Sequence, residues 1–176
     1  MAVLVNNVGG TTSAPIDAVD DAAWDAALAL NLTSVFVATQ AVLPDMRAAG
    51  FGRIVTIAST AAQKGYAYVA PYCAAKHGAL GFTRALAIEL AREPITVNAV
   101  CPGFADTEMT ARSIDAIVAA TGRDPVDARR ALEAMSPQRR LIRPEEVASA
   151  VAWLCDPAQV GVTGQALGVA GGEVMS

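Results

Sequence analysis

Charge, aromatic rings and sulfur are all scarce in this 176-residue sequence, and each scarcity removes a class of function. Thirteen Lys and Arg against 17 Asp and Glu leave a formal net charge of −4, with no basic run or stripe. That balance speaks against nucleic acid or an anionic membrane surface as partner. Cys73, Cys101 and Cys155 are odd in number and far apart, with neither a CxxC pair nor a clustered His. They supply no disulfide framework and no zinc site, so no metal is expected and the three read as buried thiols. No basic segment precedes an apolar run at the N-terminus, so no secretory signal is expected and the default location is cytoplasmic. The longest stretch free of charge, Ala26 to Pro44, carries Asn31, Thr33, Ser34, Thr39 and Gln40. It reads as a buried helix rather than a membrane span.

Apolar residues, by contrast, make up 53% of the chain, and 38 of the 176 are Ala. This composition predicts one globular domain, residues 1–176, with helices packed closely on one another or on a sheet. Ala2–Val5 is a short β-branched run ended by Asn6-Asn7-Val8-Gly9-Gly10, the pattern of a buried parallel strand entering a turn. Asp20 or Asp21 can cap a long, mostly buried helix from about Trp24 to Gly50, with Pro44 near its end. Further strands are expected at Arg53–Ala58, Ile95–Val100 and Ala166–Ala170, and further helices at Tyr72–Arg92 and Pro144–Leu154. Strands that alternate with helices and are apolar on both faces imply βαβ crossovers, hence an α/β fold with a parallel sheet covered on both sides. The stretch from about 104 to 143, broken at Thr121-Gly-Arg-Asp-Pro125, predicts two short helices forming a lid.

In such sheets ligands bind beyond the carboxyl ends of the strands, and four polar residues fall there. Ser59 follows the second strand, Tyr72 and Lys76 lie four apart on one face of the next helix, and Asn31 sits inside the first helix. The Lys76 ammonium beside the phenol would lower its pKa toward the working range, which makes Tyr72 a candidate acid/base. Ser59 would bond the same substrate oxygen, and Asn31 could hold a water linking Lys76 to solvent. Each also has an ordinary explanation: a turn Ser, a surface Lys, an Asn satisfied by nearby backbone. Yet an unpaired amide in an apolar helix costs about 1–3 kcal/mol, so Asn31 needs partners. The sole His, His77, faces away from Lys76 and reads as a surface or subunit-contact residue, with no triad to serve. Asp17, Asp20, Asp21 and Asp25 read as helix-capping charge. Arg129, Arg130, Arg139, Arg140 and Arg143 read as a solvated face, with contact to a phosphorylated carrier as the rival.

Taken together, Asn6-Asn7-Val8-Gly9, Asn31, Ser59, Tyr72-Cys-Ala-Ala-Lys76 and Pro102-Gly-Phe-Ala-Asp-Thr107, in this order and spacing, resemble the short-chain dehydrogenase/reductase family over essentially the whole chain. The resemblance implies a Rossmann-like doubly wound sheet and an NAD- or NADP-dependent oxidoreductase interconverting a secondary alcohol and a ketone. It implies Tyr72 as proton donor or acceptor, Ser59 as oxygen stabiliser, Lys76 as ribose ligand and phenol tuner, and Asn31 as relay. Thr107 and the Ala105 backbone, after Pro102 and Gly103, would hold the nicotinamide carboxamide, and Asn7 and Gly9 would line the adenosine side. The lid resembles those of 3-oxoacyl or polyketide ketoreductases. A homodimer or homotetramer is expected, with the helices Trp24–Ala49 and Tyr72–Arg92 at the interface.

Three more strands and a Gly-rich phosphate turn precede Asn-Asn-x-Gly in that family, whereas Met1 alone precedes the first strand here and no G-x-x-x-G-x-G occurs. The expectation is therefore an N-terminally truncated sheet of about four strands whose hydride transfer is impaired. The rival from another class is an inactive, oligomer-forming subunit of the same fold.

Overall fold

Four runs, Val3–Asn6 (β1), Gly52–Ile57 (β2), Ile95–Pro102 (β3) and Ala166–Val169 (β4), form one parallel sheet in the order β1-β2-β3-β4 in the computed structural model, which describes residues 1–175. The α/β class, the doubly wound sheet and the four strands are as expected. Each parallel step is bridged by helix. Between β1 and β2 lie Asp21–Leu28 (α1), a π-helical turn at Ala29–Thr33, and Ser34–Ala49 (α2). Ala70–Glu89 (α3) joins β2 to β3. Glu108–Thr121 (α4), Pro125–Glu133 (α5) and Pro144–Cys155 (α6) lie between β3 and β4, so the expected two-helix insertion is present.

Local sequence explains the ends of these elements. The Asp20 carboxylate accepts from the Ala23 N–H at 2.8 Å and caps α1, while Asp21 is already helical. Gly50 closes α2 in the left-handed region, φ 62°, where a Cβ would be strained. α3 begins two residues earlier than expected and stops at Glu89, short of Arg92.

The sheet is packed unequally. One face lays Ile54, Ile95 and Val97 against Met46 of α2 and Leu86, Ala87 and Leu90 from α3 and its end. The other sets Val55 and Val100 against Leu154 of α6. β2 and β3 are therefore buried almost throughout. Along the edge strand β1, Val3 and Val5 stay exposed. The expected burial of the long first helix does not hold either: Trp24, Leu30, Phe36 and Val37 face outward, and only Asn31, Val35, Thr39 and Met46 are buried. Hydropathy alone reads such a helix as interior, but burial needs something on the far side, and within this chain only one stripe meets sheet and α3. By length and composition Asp21–Ala49 could cross a membrane. Its inner stripe, however, carries the polar Asn31 and Thr39 onto the domain's own backbone and side chains. The thiols also differ from expectation, since Cys101 alone is fully buried while Cys73 and Cys155 are half-exposed at helix positions.

Candidate active site

The carboxyl ends of all four strands open on the same rim, and the expected residues gather there in two groups. The first is built around the turn after β1. Asn31 is completely buried; its Nδ2 donates to the carbonyls of Gly10 (2.9 Å) and Ala27 (3.0 Å), and its Oδ1 accepts from the Gly10 N–H at 3.1 Å. The amide thus has the partners its burial demands, and they are backbone groups. The π-helical turn that holds it is the wider coil that often marks functional positions. Opposite, the Lys76 ammonium is buried and donates to the Ile57 carbonyl at 2.8 Å. Gly9 lies between the two: a Cβ there would stand 2.9 Å from Asn31 Oδ1 and 3.3 Å from Lys76 Nζ. Only glycine lets the β1 turn pass between amide and ammonium.

The second group is Ser59 and Tyr72. Ser59, in extended conformation after β2, accepts from the Ala61 N–H at 3.0 Å and caps a short 3-10 turn, Thr60–Ala62. Tyr72 stands on the first turn of α3, with Lys76 Nζ 5.6 Å from its ring centroid. Burial pushes the phenol above its usual pKa, and the hydrogen bond to Ser59 offsets part of that rise. The expected lowering by Lys76 is therefore not what this arrangement produces: helical spacing brings ammonium and ring together, but desolvation of the phenolate sets the direction of the shift. Burial also pulls Lys76 down to about 8, against the opposing pull of Cys101 beneath it.

From Pro102, the last residue of β3, the chain runs along the rim to Thr107. The Gly103 N–H donates to the Val169 carbonyl at 3.1 Å, and Ala105 bridges to Ile142. The Thr107 hydroxyl reaches only the Ala105 carbonyl, at 3.4 Å. Asn7 is exposed on the turn after β1 and lines a small groove of about 160 Å³ with Leu4, Val8 and Val35. A depression of about 510 Å³ runs beside β4 and α6 past Trp153, Leu167 and Val174, and none of Asn31, Ser59, Tyr72 or Lys76 lines it.

Residues set aside on sequence grounds keep those places. His77 is exposed, with Nδ1 2.9 Å from the Cys73 carbonyl. Four of the five arginines are ion-paired at the surface, Arg129 with Asp106 and Glu133, Arg130 with Asp127, and Arg140 and Arg143 with Glu146. Among the described residues no group of His, Cys, Asp and Glu could hold a metal ion. Sequence reasoning missed a third polar group on the rim, Thr60, Lys64, Tyr66 and Glu173. The one signal for it was Glu173, the only charged residue after Asp156.

Residues 1–173 match the family model described as enoyl-(acyl carrier protein) reductase. A Streptomyces coelicolor protein described as a ketoacyl reductase is 44% identical over 97% of this chain and 66% of its own length. The Vibrio cholerae 3-oxoacyl-[acyl-carrier-protein] reductase FabG is 39% identical over 98% of this chain and 66% of its own. The chain thus spans about two thirds of the length of these curated relatives. Among solved structures, an actinorhodin polyketide ketoreductase variant with NADPH superposes with a TM-score of 0.94 at 43% identity, covering 98% of this chain and 67% of that one.

Proposed function

Since the chain belongs to the short-chain dehydrogenase/reductase family, we propose that it serves NAD(P)-dependent reduction of a ketone to a secondary alcohol, with 3-oxoacyl or polyketide-type thioesters as the first substrate class. The observation that carries this reading is the convergence of Gly9, Asn31 and Lys76 behind a half-buried Ser59–Tyr72 pair. Lys76 would offer a cation to ribose hydroxyls, and Gly9 and Gly103 let the turn after β1 and the end of β3 pack directly against Asn31, Lys76 and Glu173. Residues Pro102 to Thr107, through the Ala105 backbone and the Thr107 hydroxyl, would hold the carboxamide. When bound, nicotinamide supplies the hydride. Tyr72 gives its phenolic proton to the carbonyl oxygen, and Ser59 donates a hydrogen bond to that oxygen as charge grows on it. A phenol held above its usual pKa stays protonated through neutral pH, the form that reduction needs. Asn31 holds the Gly10 peptide and so fixes the turn that faces Lys76.

We also propose that these 176 residues alone hold the dinucleotide weakly and turn over slowly, because none of their Gly pairs follows a strand and opens a helix to receive a pyrophosphate. The exposed stripe Trp24, Leu30, Phe36 and Val37 favours burial between subunits in a homodimer or homotetramer, and an inactive oligomer-forming subunit is the second reading. The reading predicts loss of NADPH absorbance with a short 3-oxoacyl thioester at saturating cofactor. No turnover with any ketone under either nicotinamide would leave the second reading in its place.

A further inference from the structure

Tyr66 and Glu173 are 107 positions apart in sequence, yet the Tyr66 phenol donates to Glu173 Oε1 at 2.5 Å and accepts from the Thr60 hydroxyl at 2.5 Å. Lys64 Nζ lies 3.0 Å from the same carboxylate oxygen. The Glu173 side chain is buried to 1% exposure, and its second oxygen, Oε2, has no partner. That oxygen faces Gly103: a Cβ on residue 103 would come within 2.9 Å of it. One residue on, the Phe104 ring meets the Tyr66 ring edge-on, 6.1 Å between centroids. The segment Gly103–Phe104 is therefore enclosed by Glu173 on one side and Tyr66 on the other. Both clamping groups are anchored to separate elements, Tyr66 to the turn after β2 through Thr60 and Glu173 to the end of β4 through its own N–H on Ala170.

A buried carboxylate is costly unless it is paired and bonded, and keeping one against a glycine makes sense where its position matters. We propose that Tyr66 and Glu173 are positioning residues that lock the Pro102–Thr107 segment at the height where it meets the nicotinamide side of the site. The inference rests on the reductase reading for its consequence, but the lock itself is a property of the protein without ligand. Neither residue hydrogen-bonds Ser59, Tyr72 or Lys76, so their effect is expected on cofactor engagement rather than on proton transfer.

The test uses the 176-residue chain in two arms. In the first, backbone amide exchange is followed without ligand for wild type, Tyr66→Phe, Glu173→Ala and Glu173→Gln. Tyr66→Phe and Glu173→Ala should speed exchange at Gly103 and Ile142, which bond across this segment, by about 10-fold or more, with core amides such as Val97 unchanged. Glu173→Gln, whose Oε1 can still accept from Tyr66, should restore most of the protection. Unchanged exchange at Gly103 and Ile142 in Tyr66→Phe would overturn the proposal, and so would a uniform rise that includes the core. In the second arm, steady-state reduction should show the NADPH KM raised several-fold in Tyr66→Phe with the ketone KM unmoved, and Glu173→Gln near wild type. A change confined to kcat would overturn it. A wild type that reduces nothing sinks the reductase reading, while the exchange arm still decides the lock.

Discussion

Two regions of this molecule are almost equally apolar in sequence and end in opposite conditions. The strands β2 and β3 and the underside of α3 are closed on both sides, and the long polar side chains there are bonded: Lys76 holds Ile57, and Asn98 bonds the Val162 carbonyl and the Gln165 N–H, while the buried Thr83 hydroxyl has no partner. The β1 edge and the outer face of α1–α2 present Val3, Val5, Trp24, Phe36 and Val37 to solvent. Hydrophobicity is therefore a demand for cover and no guarantee of it. The candidate site lies where the closed region meets the open one, with Asn31 reaching from the open helix into the closed rim.

The sharpest way to break that contrast is by truncation on each side. Leu90→Ala, in the closed region, should cost about 2–5 kcal/mol in urea unfolding. Val37→Ala should change stability by less than about 0.5 kcal/mol if the outer face is free, and by clearly more if a second copy covers it. Equal losses at both positions would erase the distinction. Smaller is the effect expected at the junction: Gly9→Ala must move Asn31 Oδ1 or Lys76 Nζ off bonded positions, at about 1–3 kcal/mol. A silent Gly9→Ala would show the junction to be loose. Smaller again is a pH effect. The Lys76 pKa falls from 10.5 unfolded to about 8 folded, so the native state holds its proton less well. Below pH 8 the full penalty applies, and stability should recover between pH 8 and 10, by about 1–2 kcal/mol relative to Lys76→Met. Above pH 10 the raised Tyr72 works the other way, since the fold then resists phenolate formation. A wild type and a Lys76→Met variant that run parallel from pH 8 to 10 would contradict the buried ammonium. Least affected should be assembly by charge placed at the rim of the open face: Val37→Glu should raise the monomer fraction in sedimentation without lowering monomer stability.

How legible each region was follows from the same contrast. Strands at 53–58 and 95–100 announce themselves because a strand buried on both faces must be apolar at every position, and the structure moves their ends by only a residue or two. Ser59, Tyr72, Lys76 and Asn31 were legible because their spacing fixes them to one rim. The π-helical turn was not, since its extra residue is set by the reach of Asn31 to Gly10 and leaves no local pattern. Tyr66 with Glu173 was hidden by sequence distance. The direction of the Tyr72 shift was misjudged because an i,i+4 relation reports proximity and says nothing about how much water is lost.

The central claim is that the half-buried Ser59–Tyr72 pair hands a proton to a ketone held on this rim. Its most direct measurement is kcat for NADPH-dependent reduction of a short 3-oxoacyl thioester by wild type and Tyr72→Phe, at saturating cofactor and with circular dichroism on both. The account predicts a fall of at least about 10²-fold with the fold unchanged. A Phe variant that folds and reduces the ketone within a few-fold of wild type would contradict it.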